Sequence, residues 1–231
     1  GMKSGSLSEV MSNVAEFVDI CSPVSLGIRT GEYMPISGPA ELPQDQTIDD
    51  SQSVCFDGYP LTKKLDLLGT TMVRLRLSSD CSCGIVAARL CDVTPGGAST
   101  LITYGILNLK QRNGREVLTK ITPGESLDVI IRLNDTGWSL KPKHKLRLAL
   151  SSQLWPMAWP VAERATITLN LVHCSLDLPI RTNNTCNDIE SPFEPPAAAD
   201  PLPHDIILPT KATRNVNTNI ETGEITYKIK I

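Results

Sequence analysis

Hydrophobic and polar side chains alternate along much of the chain between residues 51 and 172. In the segment 145–151 (KLRLALS), Leu146, Leu148 and Leu150 alternate with polar or small residues, so one face is apolar and the other is polar. The same period of two recurs at residues 73–77, 127–133 and 165–171. These last three patterns predict strands of antiparallel sheets with one buried side and one solvent-facing side.

Two neighbouring segments are apolar on both faces, which is typical of central strands. They are residues 84–93 (GIVAARLCDV) and 99–107 (STLITYGIL), and the turn sequence TPGG at 94–97 predicts that they form a hairpin. Alternation at 225–231, after the turn ETG at 221–223, predicts the second arm of another hairpin. Because the chain stops within this strand, we expect a domain that is truncated at its C-terminal end.

Many strands, regular turns and almost no helical periodicity together predict an all-β sandwich. Residues 6–30 are ambiguous, because helical spacing of apolar residues is followed by Ser22-Pro23, which would end a helix. Residues 30–50 are rich in Gly, Pro and Asp and predict an extended, ordered connector. The Pro- and Asn-rich segment 182–204 predicts a long surface loop. Within residues 6–30, the apolar residues at helical spacing are Met11, Val14, Ala15 and Val18.

The strand predicted at 145–151 leads into a segment with two tryptophans, each followed directly by proline. Trp155-Pro156 and Trp159-Pro160 should end the strand and form a rigid loop, because proline cannot donate to a sheet and favours extended geometry in the preceding residue. One interpretation is a hydrophobic plug at one end of the sandwich. The other is an interface or ligand loop, with help from Trp138, because tryptophan is enriched where protein surfaces dock.

Composition and charge exclude several classes of partner. The chain has 41% hydrophobic and 20% charged residues and a net charge of -3, which is typical of a soluble globular protein. No long basic run indicates a nucleic-acid partner, and no apolar segment is long enough to indicate a membrane span. The first residues lack the layout of a secretory signal, so we expect a cytoplasmic protein. Six carboxylates between Glu32 and Asp57 do not follow the EF-hand spacing and predict solvated surface charges instead.

Cysteines and histidines give no sign of a metal or redox centre. The seven cysteines are odd in number and scattered, which predicts reduced thiols rather than a disulfide framework. Cys81 and Cys83 are the only close pair, and no second pair or nearby histidine completes a zinc site. His144, His173 and His204 are far apart in sequence, and we predict no catalytic or metal role for them.

The sequence also lacks the motifs of common catalytic folds. No G-x-S-x-G nucleophile elbow, G-x-G-x-x-G run or phosphate-binding G-x-x-x-x-G-K-[ST] loop occurs. We therefore predict no catalytic residue, no cofactor and no metal, and hence no enzyme activity of the chain on its own.

Several stretches in one order across residues 40–225 resemble the C-terminal region of the CocE/NonD hydrolases, which are serine esterases and peptidases related to X-Pro dipeptidyl-peptidase. The first group is residues 42–46 (LPQDQ), 49–51 (DDS), 56–57 (FD), 60–61 (PL), 67–69 (LLG) and 79–80 (SD). The second group is residues 89–95 (RLCDVTP), 105–109 (GILNL) with Arg112, 144–148 (HKLRL) with Ser151, 155–160 (WPMAWP), 178–181 (LPIR) and 222–223 (TG). Lys143 and Gly96 depart from the family pattern, which favours Gly and Asp at these positions.

This resemblance implies a jelly-roll β-sandwich, similar to galactose-binding domains, at residues 42–231, preceded by an N-terminal extension or connector at 1–41. In that family the catalytic Ser, Asp and His belong to a separate α/β-hydrolase domain, so no catalytic residue is carried over. The implied function is an accessory domain that packs on such a catalytic domain, in cis or in trans, with a possible homo-oligomer. Two alternatives stay open: a stand-alone carbohydrate-binding module, suggested only by the fold, and an enzyme with a non-standard site.

Overall fold

The computed structural model describes residues 1–3, 5–10, 15–35, 39–182, 194–195, 197–200, 202–203, 205, 207 and 211–230. The chain divides into two units: residues 1–36 with 41–181, and residues 37–40 with 182–231. Strands dominate both units. The described strands are β1 (Met2–Lys3), β2 (Ser6–Leu7), β3 (Phe17–Ile20), β4 (Val54–Asp57), β5 (Leu65–Gly69), β6 (Met72–Ser79), β7 (Ile85–Val93), β8 (Ser99–Asn108), β9 (Leu127–Arg132), β10 (Thr136–Leu140), β11 (Lys145–Ser151), β12 (Ile167–Asn170), β13 (Ser175–Asp177), β14 (Thr213–Thr218) and β15 (Ile225–Lys230). The helical segments are α1 (Thr47–Asp50) and 3-10 turns at Pro39–Glu41, Leu109–Gln111 and Leu171–His173.

The larger unit is built from two sheets whose strands pair mostly antiparallel. Sheet 1 has the strand order β1-β2-β4-β11-β7-β8. In sheet 2, β6 pairs with β9 along one edge and with β12 and β13 along the other, and β3 lies outside β12. Strands β5 and β10 form a separate two-stranded ribbon. Both sheets contribute to one hydrophobic core, so the predicted all-β sandwich is confirmed.

The alternating patterns place their apolar residues in this core. The core residues of sheet 1 are Met2, Phe56, Val86, Ala88, Leu90, Leu146, Leu148 and Leu150, and those of sheet 2 are Ile20, Val73, Leu75, Leu77, Leu127, Val129, Ile131, Ile167 and Leu169. On the solvent side of sheet 2, Arg74 pairs with Asp177 and Arg76 pairs with Asp128. The prediction of one buried and one wet face is therefore confirmed for sheet 2.

Strands β7 and β8 form the predicted hairpin, although only β7 is central. The turn at 94–97 closes with hydrogen bonds from the Gly97 amide to the Thr94 carbonyl and from the Thr94 amide to the Ala98 carbonyl. All nine residues of β7 are buried, whereas β8 is the last strand in the order of sheet 1. The prediction of a central strand is therefore wrong for β8. This edge strand is apolar on both faces because a layer outside the sheet covers the side chains of Tyr104 and Ile106.

The segments between the predicted strands differ more from expectation. Within residues 6–30, Phe17–Ile20 is a strand, while Met11 and Val14 lie outside the described residues. The prediction of an extended connector over 30–50 is wrong in its last part, where α1 begins at Thr47. Most of the segment 182–204, with Cys186 and His204, lies outside the described residues.

The smaller unit contains the hairpin expected near the C-terminal end. Strands β14 and β15 pair from Thr213↔Lys230 to Thr218↔Ile225, so this hairpin is confirmed. The guanidinium of Arg214 lies 5.6 Å from the centre of the Tyr227 ring, which adds a cation–π contact.

Truncation of a core leucine should cost far more stability than truncation of an exposed residue. Leu148 is fully buried and pairs across the sheet with Phe56 and Leu90. We expect Leu148→Ala to lower the free energy of unfolding by about 2–5 kcal/mol. The control Ile130→Ala, at a position 48% exposed on β9, should change it by less than about 0.5 kcal/mol. Urea unfolding followed by circular dichroism measures both, and equal losses would contradict the assignment of the core.

Candidate functional site

The outer face of sheet 1, on the side away from the core, carries an arginine that is fully buried. Side chains alternate along β7, so Ala87, Arg89 and Cys91 lie on the face opposite to the core residues Val86 and Leu90. Arg89 has 0% exposure, although an isolated buried charge is strongly unfavourable. Neighbouring residues must therefore cover and pair it.

The partners of Arg89 come from α1 and the residues beside it. Its Nη2 lies 3.0 Å from Asp50 Oδ1 and donates to Ser53 Oγ at 2.9 Å. Its Nη1 donates to Gln46 Oε1 at 2.8 Å. Small side chains at Ala149 and Cys55, in the same cross-strand row, leave room for the guanidinium.

A second arginine shares the carboxylate of Asp50. Arg147 on β11 lies directly opposite Asp57 on β4 and binds it through two hydrogen bonds, Nε to Oδ1 at 2.6 Å and Nη2 to Oδ2 at 2.8 Å. Arg147 Nη1 also reaches Asp50 Oδ2 at 3.2 Å. The hydrogen bond to Asp57 raises the pKa of Arg147, so this arginine stays charged. Ser99 Oγ donates to Asp50 Oδ2 at 2.7 Å.

Asp49 and Gln46 extend these contacts to the segment 29–46. Asp49 Oδ2 accepts hydrogen bonds from the Arg29 amide at 3.0 Å and from Thr30 Oγ1 at 3.3 Å. Gln46 Nε2 donates to the carbonyls of Arg29 at 2.6 Å and Gln44 at 2.7 Å. Burial raises the pKa of Asp49, and the nearby Arg89 guanidinium opposes that rise. We call Arg89, Arg147, Asp49, Asp50 and Asp57 the arginine–carboxylate network.

The network corrects the expectation that the carboxylates between Glu32 and Asp57 are solvated. Glu41, Asp49 and Asp50 are buried. Sequence reasoning overlooked a usable signal, namely one arginine within the apolar run 84–93, because a charged side chain in a central strand needs a buried partner. The network joins α1 and the segment 29–46 to β4, β7 and β11, which is a structural role.

The Trp-Pro loop packs on the same outer face. Leu154 is buried against Leu26 and Ala87, and Met157 packs on this small cluster together with Tyr104 and Ile106. The Trp155 amide donates to the Leu26 carbonyl at 2.8 Å. The peptide bond between Trp155 and Pro156 is cis. The loop therefore lies over sheet 1 rather than across an open end of the sandwich.

The three tryptophans have different environments. Trp155, Pro156 and Pro160 are half-buried, whereas the side chain of Trp159 is 86% exposed. Trp138 on β10 is half-buried against the main core, and its Nε1 donates to Asp92 Oδ2 at 3.1 Å. Trp155 and Trp159 lie on one loop over sheet 1, whereas Trp138 packs against the main core.

Trp138 shares Asp92 with a histidine. His144 Nδ1 lies 2.7 Å from Asp92 Oδ1, so one carboxylate orients both rings. A His–Asp pair is part of a serine hydrolase triad, yet the described hydrogen bonds of His144 join it to no hydroxyl nucleophile. Trp138 also forms a wall of two surface clefts, of about 270 Å³ and about 480 Å³. Asp92 therefore fixes the orientation of the Trp138 and His144 rings.

The described thiols are reduced and range from exposed to buried. The six cysteines within the described ranges are free. Burial raises the pKa of the Cys55 thiol to about 11 and of the Cys91 thiol to about 12, so both are protonated and weakly nucleophilic at neutral pH. In the described part of the chain, no group of three or more His, Cys, Asp or Glu side chains is arranged to hold a metal ion. None of the helices described here is both long and apolar enough to span a bilayer.

Comparison with known proteins identifies the type of domain. Residues 13–190 match the profile of the X-Pro dipeptidyl-peptidase C-terminal non-catalytic domain. The cocaine esterase of Rhodococcus sp. (strain MB1 Bresler) is 29% identical over 157 residues, which cover 68% of this chain and 27% of the esterase.

Solved structures show the same fold. An aminopeptidase from a marine sediment Thaumarchaeota archaeon matches with a TM-score of 0.66 and 19% identity, covering 77% of this chain and 35% of the aminopeptidase. An α-amino acid ester hydrolase matches with a TM-score of 0.61 and 18% identity, covering 74% of this chain and 33% of the hydrolase. The chain thus spans about a quarter to a third of the length of these relatives.

Breaking the arginine–carboxylate network should be costly. Arg89→Met removes the buried cation and leaves Asp50 with an incomplete set of partners, so we expect a loss of about 3–5 kcal/mol in the free energy of unfolding. The control is Arg74→Met, which removes a surface ion pair with Asp177 and should cost no more than about 1 kcal/mol. Urea unfolding of both variants decides the matter, and similar small losses would show that the network contributes little.

Close approach of the loop to Gly27 gives a separate prediction. Gly27 has a φ of +110°, and an added Cβ would lie 2.5 Å from the Trp155 carbonyl oxygen. Gly97, with a φ of +91° and no atom within 4 Å of an added Cβ, is the matched control. Gly97→Ala should cost about 1–2 kcal/mol through backbone strain, and Gly27→Ala should cost about 1–3 kcal/mol more through overlap with the loop. Equal losses in chemical denaturation would contradict a tight contact.

Proposed function

Because the chain belongs to the family of X-Pro dipeptidyl-peptidase C-terminal non-catalytic domains, we propose that it packs on and supports an α/β-hydrolase catalytic domain with esterase or peptidase activity. The observation that carries this proposal is the match to about a quarter to a third of longer hydrolases. The remainder of each relative is large enough to hold a separate catalytic domain. The partner acts in cis or in trans.

Surface chemistry supports a docking role for the loop 155–160. Trp159 is 86% exposed on a segment whose neighbours are fixed by Leu154 and by the hydrogen bond of Trp155 to Leu26. A large, rigidly presented aromatic side chain loses little entropy on binding and is typical of the residues that dominate interface energy. We assign the interface to Trp155, Pro156, Trp159 and Pro160. Trp138, with its ring held by Asp92, is the more distant candidate.

Carbohydrate binding is supported less well. Sugar recognition by a module of this type would use an aromatic platform, and the side chains of Trp138 and Trp155 are both half-buried, that of Trp138 against the main core. The jelly-roll connectivity, the cytoplasmic location and homo-oligomer formation stay predictions.

Activity measurements on the purified chain test the non-catalytic assignment. We expect no turnover of p-nitrophenyl esters or X-Pro amides, because the sequence contains no nucleophile elbow. Turnover that co-purifies with the chain through several columns would overturn the proposal. A glycan screen by calorimetry, repeated with Trp159→Ala, tests the sugar-binding alternative.

A chimera tests the supporting role. This chain replaces the matching segment of the Rhodococcus cocaine esterase, and residues 155–160 are then changed to a Gly/Ser sequence of equal length. We expect the half-life of esterase activity on heating to fall at least about threefold, because interface contacts that resist domain separation are lost.

The matched control changes the six residues 113–118, which form another exposed loop with Val117 and Leu118 on the surface. This change should leave the half-life within about twofold. Unfolding of each isolated chain shows whether the sandwich itself is affected. Equal half-lives for the two loop variants would contradict docking through residues 155–160.

A further inference from the structure

A second exposed apolar segment lies beside the Trp-Pro loop on the outer face of sheet 1. Tyr33 is 74% exposed and Met34 is 70% exposed. They follow the turn at 27–30, and the carbonyl of Leu26, just before that turn, accepts the hydrogen bond from the Trp155 amide. The solvent side of sheet 2 differs, because it carries the ion pairs Arg74–Asp177 and Arg76–Asp128 beside the exposed Phe17 and Ile130. Exposed apolar side chains on one face of a molecule mark an interaction surface.

The segments that lead to Tyr33 and to Trp159 lie over the same part of sheet 1. Leu26, Ala87 and Leu154 form the buried centre of a small cluster there, and Tyr104 and Met157 pack against it. Thr30 Oγ1 and Arg89 Nη1 both donate to Gln46 Oε1, at 3.2 Å and 2.8 Å, and Arg89 lies directly opposite Tyr104 in the sheet, so the segment that leads to Tyr33 crosses sheet 1 close to Tyr104. Met157 is two residues from Trp159. The two exposed segments therefore belong to one surface.

The backbone that carries Tyr33 is fixed in position. The Glu32 amide donates to the Glu41 carbonyl at 2.9 Å, and the Gln44 amide donates to the Arg29 carbonyl at 2.9 Å. Gly31 has a φ of +95°, and an added Cβ would lie 2.9 Å from the Glu41 carbonyl oxygen, so the two segments run in close contact. Because this backbone is ordered before binding, little entropy remains to be lost on association.

The charge of this surface restricts the kind of partner. Residues 152–160 contain no charged side chain, and residues 21–35 contain only Arg29 and Glu32. The Arg29 guanidinium donates to Gln44 Oε1. Such a surface offers nothing to the phosphates of a nucleic acid or of an anionic membrane. It fits an apolar, uncharged protein surface.

We infer that Tyr33, Met34 and Trp159 together form the central contacts by which this domain binds the α/β-hydrolase catalytic domain. This inference rests on the proposed function and extends the interface beyond the Trp-Pro loop. The occupant is the catalytic domain, because the relatives carry about two thirds or more of their length outside the matched domain.

Photo-crosslinking in the full-length esterase chimera tests the inference directly. The residue p-benzoylphenylalanine replaces Tyr33, Met34 or Trp159 in separate samples, and Ile130, 48% exposed on β9, is the matched control position. We expect the yield of crosslinks to the esterase portion to be at least about tenfold higher from positions 33, 34 and 159 than from position 130. Mass spectrometry identifies the crosslinked peptides.

A second measurement is independent of the crosslinker. Tyr33→Ser combined with Met34→Ser should shorten the thermal half-life of the chimera by at least about threefold, whereas Ile130→Ser should leave it unchanged. Crosslinks from position 159 alone, with no effect of the 33/34 variant, would overturn the inference and leave the proposed function intact. Absence of crosslinks from all three positions, with unchanged half-lives of both the 33/34 variant and the 155–160 loop variant, would overturn the proposed function as well.

Discussion

The larger unit depends on the pairing of a buried arginine in its central strand. Arg89 is fully enclosed on the outer face of sheet 1, where an unpaired charge would be strongly unfavourable. Its partners Asp50, Gln46 and Ser53 lie 36 to 43 residues earlier in the chain, so the segment around α1 has to fold back over the sheet. Since Asp50 also binds Arg147, the same carboxylate connects β7 and β11 to this covering segment.

This constraint makes the two faces of the sandwich unequal. Sheet 2 presents ion pairs such as Arg74–Asp177 to solvent, and pairs of this kind contribute little to stability. Sheet 1 is covered by a layer that includes residues 21–35, α1 and the loop 152–160. The exposed aromatic residues Tyr33 and Trp159 lie on that layer. A difference of this kind is what a domain needs when one face is solvated and the other binds a partner.

Strands could be predicted from the sequence wherever one face is buried, because the period of two then appears in the residues themselves. Leu127, Val129 and Ile131 illustrate this case. The hairpin between β7 and β8 follows from the local chemistry of the TPGG turn. The position of β8 at the sheet edge does not, because its outer side chains are covered by residues distant in the sequence, and a covered edge strand has the composition of a central one.

The network residues could not be predicted from periodicity for the same reason: Arg147 and Asp50 are 97 residues apart. The family resemblance nevertheless contained them, since Asp49, Asp50, Asp57, Arg89 and Arg147 all lie in the matching stretches. Asp92 and His144, which hold Trp138, lie there too. These polar residues of the matching stretches therefore have partners within the fold and help to hold it together.

Trp155 and Trp159 were equivalent in the sequence, as two Trp-Pro pairs, and the structure separates them. Trp155 fixes the loop to the Leu26 carbonyl, while Trp159 extends into solvent. The interpretations as a hydrophobic plug and as an interface loop are therefore compatible. The first half of the loop packs on sheet 1, and the second half exposes Trp159 to solvent. Gly27 permits the close contact at Trp155, and the network holds the segment that follows Gly27 through Arg29 and Thr30. The exposed position of Trp159 thus depends on the whole layer over sheet 1, namely residues 21–35, α1 and the loop 152–160. We therefore attribute the proposed docking role to this layer and not to residues 155–160 alone.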